Sequence, residues 1–368
     1  MLHPLALSFV ILAGCVGLDL APEPASDPRR SLPTPGRPAT PAGPDAETPD
    51  DTGADPGDPG ADPGDPGDPD GDPDEGPDTS ENPLAGLTLW IDPDSPAARE
   101  AADASGAEAD LFGKIATQPV AKWLGGWSGD VASTVRDAVD AADADGAVRV
   151  FVVYNLPNRD CGGYSSGGAS DADAYRAWVA DIADGLDGRA AVLILEPDGL
   201  SMMDCLSSSD ADTRYTLLAD AVSTLRAAGG IVYLDGGHSA WHPVGTMAER
   251  LRAADIAGAD GFALNTSNFE TTDDIVAYGE DVSAETDGAH FVVDTARNGL
   301  GPTSDHAWCN PDGRALGLPP SVATGNPLVD GLLWVKTPGE SDGTCNGGPS
   351  AGEWWREYAL GLAERAAW

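Results

Sequence analysis

The chain has 368 residues, enough for a tail plus one large barrel or two ordinary domains. Its 61 Asp and Glu against 20 Lys and Arg give a formal net charge of −41, which excludes nucleic acid as a partner and suits a neutral substrate that needs no electrostatic steering. No G-x-G-x-x-G or P-loop occurs, so nothing in the sequence points to a nucleotide or other cofactor.

The first fifteen residues, M-L-H-P-L-A-L-S-F-V-I-L-A-G-C, resemble a bacterial lipoprotein signal peptide with lipobox Leu12-Ala13-Gly14-Cys15. The apolar run is too short to span a bilayer. On this reading Cys15 is the lipidated mature N-terminus, and the protein is exported to the cell surface or outer membrane with only its lipid in the bilayer. An ordinary secretory signal is the alternative. Residues 16–82 are mostly Pro, Gly, Asp and Ala with almost no large apolar residues, and carry a tandem repeat at Ala54–Gly60 and Ala61–Gly67. Such a segment buries too little apolar surface to offset its ordering entropy, and proline and like charge keep it extended. It is expected to be a disordered stalk; its prolines and the lack of an EF-hand register argue against calcium.

From Pro83 the texture changes. Strands are predicted at Leu87–Ile91, Val120–Leu124, Val148–Tyr154, Ala191–Leu195, Ile231–Leu234, Gly261–Leu264, Phe291–Val293 and Leu332–Val335. Ala-rich amphipathic segments at 131–144, 171–186, 210–228 and 352–366 read as helices. The alternation over 83–368 predicts one parallel α/β barrel domain.

Apart from Cys15, the cysteines are Cys161, Cys205, Cys309 and Cys345, an even number in an exported chain. Each pair 161/205 and 309/345 lies in loops after consecutive apolar runs, and loops after neighbouring parallel strands are close in space. Disulfides 161–205 and 309–345 are therefore expected. Zinc is the competing reading, but no C-x-x-C or H-E-x-x-H spacing occurs, and no metal is expected.

A polar residue follows nearly every predicted strand: Asp92, Asp160, Asp198, Asp235, Asn265, Asp294 and Lys336. Singly, each reads as a helix cap. In a parallel barrel all the strand ends lie on one face, so Asp160, Asp198 and Asp235 converge on one cleft, where like charges resist ionising together and one aspartate can stay protonated as a general acid. Trp123, Trp241 and Trp308 lie in loops near the same runs, while Trp90, Trp178 and Trp334 sit in apolar or helical runs and read as core. Carboxylates with indole platforms suggest sugar chemistry.

Two long blocks carry a more specific signal. They are V-V-Y-N-L-P-N-R-D-C-G-G-Y-S-S-G-G at 152–168 and L-I-L-E-P-D-G-L-S at 193–201. Supporting blocks are A-T-Q-P-V-A-K-W at 116–123, Y-L-D-G-G-H-S-A-W at 233–241, L-N-T-S-N-F at 264–269, V-D-T-A-R-N-G at 293–299, W-C-N-P-D-G-R-A-L-G at 308–317 and W-V-K-T-P-G-E-S-D-G-T-C at 334–345. In order and wording they resemble glycoside hydrolase family 6, the β-1,4-glucan-cleaving cellulases, over residues 84–368. The resemblance implies a modified parallel β/α, TIM-like barrel and single-displacement hydrolysis with inversion. It implies Asp198 as the general acid, Asp160 as the group that raises the Asp198 pKa and relays a proton from water, and Asp342 as candidate base. It places Asp235 in the charge network on the leaving-group side, Tyr154 against the reacting sugar and Ser166 on the hydrolytic water. Trp123, Trp241 and Trp308 would stack on glucosyl units, and Asn265, Lys336 and Glu340 would bind substrate.

An inverting pair needs about 6.5–9.5 Å between acid and base to leave room for water. Only about ten residues separate Asp160 from the helix at 171, and the stretch from Asp342 to Trp354 is short. In the family this chain resembles, cellobiohydrolases roof the cleft with long insertions at these places, so the resemblance implies an open cleft and internal cleavage by a monomeric endoglucanase. The alternatives are an exo-acting cellobiohydrolase and a non-catalytic glucan-binding surface protein.

Overall fold

The computed structural model describes residues 82–163 and 165–368. The signal segment with Cys15 and the stalk lie outside the described residues. Seven strands form one parallel sheet in chain order: β1 (Lys122–Leu124), β2 (Arg149–Val153), β3 (Ala191–Leu195), β4 (Gly230–Asp235), β5 (Gly261–Leu264), β6 (Phe291–Asp294) and β7 (Val329–Leu333). The sheet curls until its two outer strands meet through one parallel bridge, Val120 to Trp334, where the Ala121 amide donates to the Trp334 carbonyl at 3.0 Å. This is the modified barrel. Its strands are buried on both faces, so they read as continuous apolar runs.

Side-chain alternation sorts the strands into two layers. Val150, Val152, Val192, Ile194, Tyr233 and Val292 fill the barrel. Phe151, Val153, Leu193, Leu195, Val232 and Phe291 face outward against the helices. The packing helices are α3 (Val131–Ala144), α4 (Ala172–Leu186), α5 (Ser208–Ala227), α6 (Val244–Ala253) and α7 (Thr272–Glu285). The α3 helix buries Val131, Val135, Val139 and Ala142, and its Asp130 side chain caps the Ser133 amide at 3.0 Å. The remaining helices, α1 (Pro96–Asp103), α2 (Ala107–Ala116) and α8 (Arg356–Glu364), cover the seam with a separate core of Phe112, Ile115, Trp334 and Leu362.

The sequence expectations need several corrections. Leu87–Ile91 is not a strand: it makes one bridge, Leu89 to Val148, because Asp92-Pro93 turns the chain away and β1 holds the rest of that edge. Helices α1 and α2 lie in a stretch where none was predicted, and α8 begins at Arg356 rather than 352. Trp90 is half-buried rather than core, since its indole donates to Asp145 at 2.8 Å and carries Arg149 on its face at 4.7 Å. Trp178 is half-buried against the helical layer, whereas Trp334 is core.

Both expected disulfides are present, Cys161–Cys205 and Cys309–Cys345, closing spans of 44 and 36 residues. Replacing Cys309 and Cys345 by alanine is expected to lower unfolding stability by about 2–4 kcal/mol, because the unfolded chain regains the entropy the cross-link removes. Denaturant titration checks this: the midpoint should fall while the slope steepens, because the unlinked unfolded chain exposes more surface, and an unchanged unfolding free energy contradicts it.

Candidate active site

The C-terminal ends of the strands open into a cleft of about 1280 Å³, lined by Tyr154, Asp160, Ser166, Asp198, Trp308, Lys336 and Asp342 among others. Strained backbone is concentrated here. Asp160 (φ 55°), Glu196 (φ 54°), Asp198 (φ 66°) and Ser267 (φ 59°) all occupy left-handed conformations that side chains with a Cβ rarely adopt.

Asp198 leaves β3 through Glu196-Pro197 and is half-buried. Its amide donates to the Asp235 Oδ1 at 3.1 Å, which fixes the two aspartates side by side. Burial, then Asp235, then Asp160 push the Asp198 carboxyl up to about 8. Asp235 ends β4, is 2% exposed and also accepts the Gly237 amide at 3.1 Å. Burial pushes it up to about 6, against the neighbouring Thr266 hydroxyl and those two amides. The expected crowding of Asp198 by Asp160 is present, but Asp235 crowds it more.

Asp160 stands at the start of the loop that follows β2. Its Oδ2 accepts the Ser165 amide at 2.6 Å, so the carboxylate folds its own loop back. The return strand of that loop passes at Gly168 (φ 101°), where a Cβ would stand 1.8 Å from the Leu156 carbonyl oxygen; only glycine fits. Ser166 is exposed on this loop and lines the cleft. Tyr154 packs edge-on against Trp123, with centroids 5.5 Å apart, and the Trp123 indole donates to the Val335 carbonyl at 2.9 Å. Arg159 lies over the Tyr154 ring at 4.8 Å and the Trp127 ring at 5.0 Å. Burial and the carboxylates Asp198 and Asp160 push the Tyr154 phenol upward, so it stays a neutral hydroxyl.

Asp342 has the opposite surroundings. Its Oδ2 accepts Arg297 Nη1 at 2.8 Å and the Asn310 amide at 2.9 Å, and Lys336 Nζ stands 3.4 Å from Oδ1. Burial alone would raise this carboxyl, but Arg297 and Lys336 hold it below the ordinary carboxylate range. Arg297 is 1% exposed, and its pairing with Asp342 holds its charge in spite of burial. Glu340 lines the same wall, and burial raises its carboxyl against the pull of Lys336.

Trp241 stacks on His242 at 5.9 Å and lies 5.5 Å from His238; it and Trp308, which is 49% exposed, line the cleft. Burial, then His306 and His242 push His238 down to about 4, so it is neutral. His306 donates from Nδ1 to the Glu270 carboxylate at 2.7 Å, which raises its pKa.

Asn265 is a correction. It is fully buried and does not line the cleft. Its amide nitrogen donates to the Glu270 carbonyl at 3.1 Å and the Asp294 carbonyl at 3.0 Å, and its oxygen accepts the Glu270 amide at 3.1 Å. No group remains for a sugar; the side chain splints the β5 exit. Asp294 is spent likewise, accepting the amides of Ala296, Ser267, Val335 and Lys336.

The sequence profile of the glycosyl hydrolases family 6 matches residues 84–366. The chain belongs to glycosyl hydrolases family 6. It is 44% identical over 283 residues to endoglucanase A of Cellulomonas fimi, covering 76% of this chain and 62% of that one. It is 42% identical over 283 residues to endoglucanase 1 of Streptomyces halstedii, covering 74% and 87%. The solved endoglucanase Cel6 of Mycobacterium tuberculosis, in complex with methyl-cellobiosyl-4-deoxy-4-thio-β-D-cellobioside, superposes with a TM-score of 0.74 at 44% identity, covering 77% of this chain and 99% of that one. The match thus spans less than two thirds of the Cellulomonas relative.

Within this family 6 domain, sequence reasoning overlooked three residues of the cleft and its wall. Arg297 sits inside the quoted block V-D-T-A-R-N-G, three residues past β6, where its strand-end position was the available signal. Trp127 lies four residues after Trp123 and is 57% exposed; its spacing within W-L-G-G-W was the clue. His306, two residues before Trp308, had no signal in the sequence because its role depends on the distant Glu270.

Proposed function

We propose that the domain hydrolyses internal β-1,4-glucosidic bonds of cellulose or related β-glucans with inversion, as an endoglucanase. The observation that carries this reading is the opposite protonation of two carboxylates in one cleft. Asp198 keeps its proton up to about pH 8, whereas Asp342 is held charged. Asp198 protonates the departing glycosidic oxygen while water attacks the other face of the sugar ring. Positive charge develops on the ring in that transition state, and the fixed negative charge of Asp342 stabilises it. As the base, Asp342 is weak on its own, since Arg297 and Lys336 compete with the proton. Ser166 and Asp160 hold the water and pass its proton away. Tyr154 and Trp123 pack as one wall against the reacting sugar, and Trp241 and Trp308 offer further platforms.

Internal cleavage is favoured by the short stretches 160–171 and 342–354, and by the names of the relatives at 42 and 44% identity. Viscosity loss and product profile on a soluble β-1,4-glucan test the proposal. A fast fall in viscosity with mixed oligomers is expected; cellobiose release at constant viscosity means exo action, and binding without products means a lectin-like role.

The Leu12–Cys15 lipobox and the proline-rich segment after it support an exported enzyme held at the membrane by Cys15 on an extended stalk. Cys15→Ser is expected to move the protein out of the membrane fraction without changing its activity. Wild-type protein found wholly in the medium without N-terminal lipid would contradict this.

A further inference from the structure

Two buried ionisable side chains lie behind the cleft wall, and neither takes part in the chemistry above. Glu196, 1% exposed, immediately follows β3. Its carboxylate accepts the Asn155 amide at 2.9 and 3.0 Å and the Leu156 amide at 3.1 Å, so it ends the β2 backbone from the neighbouring strand. Its own amide donates to the Val153 carbonyl at 2.8 Å, and its carbonyl accepts the Gly199 amide at 2.9 Å. Arg214, 4% exposed, reaches the same loops from α5. Its Nη1 donates to the Gly199 carbonyl at 3.1 Å, and its Nη2 to the carbonyls of Pro157 at 3.2 Å and Asn158 at 3.1 Å.

Glu196 therefore takes amides from the first residues of the β2 loop, and burial pushes its carboxyl up to about 7 against those amides, Tyr175 and Arg159. Arg214 takes carbonyls slightly further along the same loop, at Pro157 and Asn158, and one from the β3 loop. Asp160 lies two residues beyond Asn158, and Asp198 lies between Glu196 and Gly199. Hydrogen bonds to charged groups are shorter and stronger than neutral ones, and a residue gripped on both sides has little freedom to rotate. The clamp seizes the backbone that flanks the two aspartates.

We propose that Glu196 and Arg214 are positioning residues, a buried clamp that sets the separation of Asp160 from Asp198. The inference rests on the reading of Asp198 as the acid. Asp160, Asp235 and Tyr154 face Asp198, and of the two carboxylates Asp160 is the one carried by the clamped β2 loop. Loosening the clamp lets Asp160 swing away, which removes part of the repulsion that keeps the proton on Asp198. The alkaline limb of the activity profile then moves to lower pH. Substrate platforms on other loops are untouched.

Glu196→Gln preserves volume but sets an amide donor against one of the two backbone amides. Arg214→Met removes the guanidinium. On soluble cello-oligosaccharides, each variant of the full-length protein is expected to lose about tenfold or more in kcat, with KM within about twofold, since small misplacement of catalytic groups is costly. The alkaline limb should move down by about half a unit. Glu196→Asp, which keeps the charge, should recover part of the turnover and of the limb. Wild-type turnover with both profiles unchanged overturns the clamp alone. So do variants that are insoluble, or that lose kcat, KM and near-ultraviolet dichroism together, because Glu196 and Arg214 then serve the fold only. A wild-type protein without turnover on the glucan overturns the assigned reaction and the clamp with it.

Discussion

Asp198→Asn should lower kcat on cello-oligosaccharides by about two to four orders of magnitude, the range typical of losing general acid catalysis. Glycosides whose leaving group needs little protonation should suffer less. The wild-type activity should fall as pH rises through about 8, where burial and the carboxylates of Asp235 and Asp160 finally yield the proton. The same shift has a stability sign. A carboxyl whose folded pKa is raised binds its proton more tightly folded than unfolded, so folding loses stability as pH rises from the ordinary carboxylate range towards about 8. Asn carries no charge to desolvate. Asp198→Asn should therefore melt above the wild type at pH 7–8, and the gap should close in acid. Wild-type turnover in this variant, or a lower melting temperature at pH 8, would contradict the assignment.

Arg297→Leu should damage both stability and turnover. It leaves Asp342 buried with only Lys336 at 3.4 Å and the Asn310 amide. Breaking one partner of a buried ion pair costs about 3–5 kcal/mol, because the remaining charge keeps its desolvation penalty without its counter-ion. Burial, the largest influence on Asp342, would then outweigh Lys336 and raise its carboxyl, so the fixed negative charge is lost as pH falls. A turnover loss of about two orders of magnitude or more is expected, consistent with removing one preorganised electrostatic group. Its acidic limb should rise in pH. Chemical denaturation and a pH–rate profile on the same preparation check both halves. Arg297→Leu with the wild-type midpoint and limb would show that Lys336 alone holds the charge.

Much of this was legible in the chain, and the reasons are specific. The β2 and β3 runs are buried on both faces, so their apolar continuity declared a parallel sheet and put Asp160 and Asp198 at one rim. The two cysteine pairs followed from loops on neighbouring strands. What stayed hidden depended on partners far apart in sequence. Asn265 has the type and position of a sugar ligand, but its hydrogen bonds to Asp294 and Glu270 are made only in the folded barrel. The partner of Arg297 is Asp342, 45 residues on, and the two meet only in the folded barrel. The order of influence on Asp198, with Asp235 ahead of Asp160, is a matter of three-dimensional distance that no spacing encodes.

The single bridge between the outer strands makes the barrel a split ring. Val120 and Trp334 share one pairing there, whereas β3 and β4 share five. Elastic compliance in such a ring gathers at the split, and its amides should exchange with solvent sooner than those of the far wall. Trp123 stands at one lip and Lys336 at the other, both opening on the cleft. A glucan chain touching both would act as a suture. Bound oligosaccharide should therefore slow deuterium uptake at Ala121, whose amide spans the split and is spent on the Trp334 carbonyl.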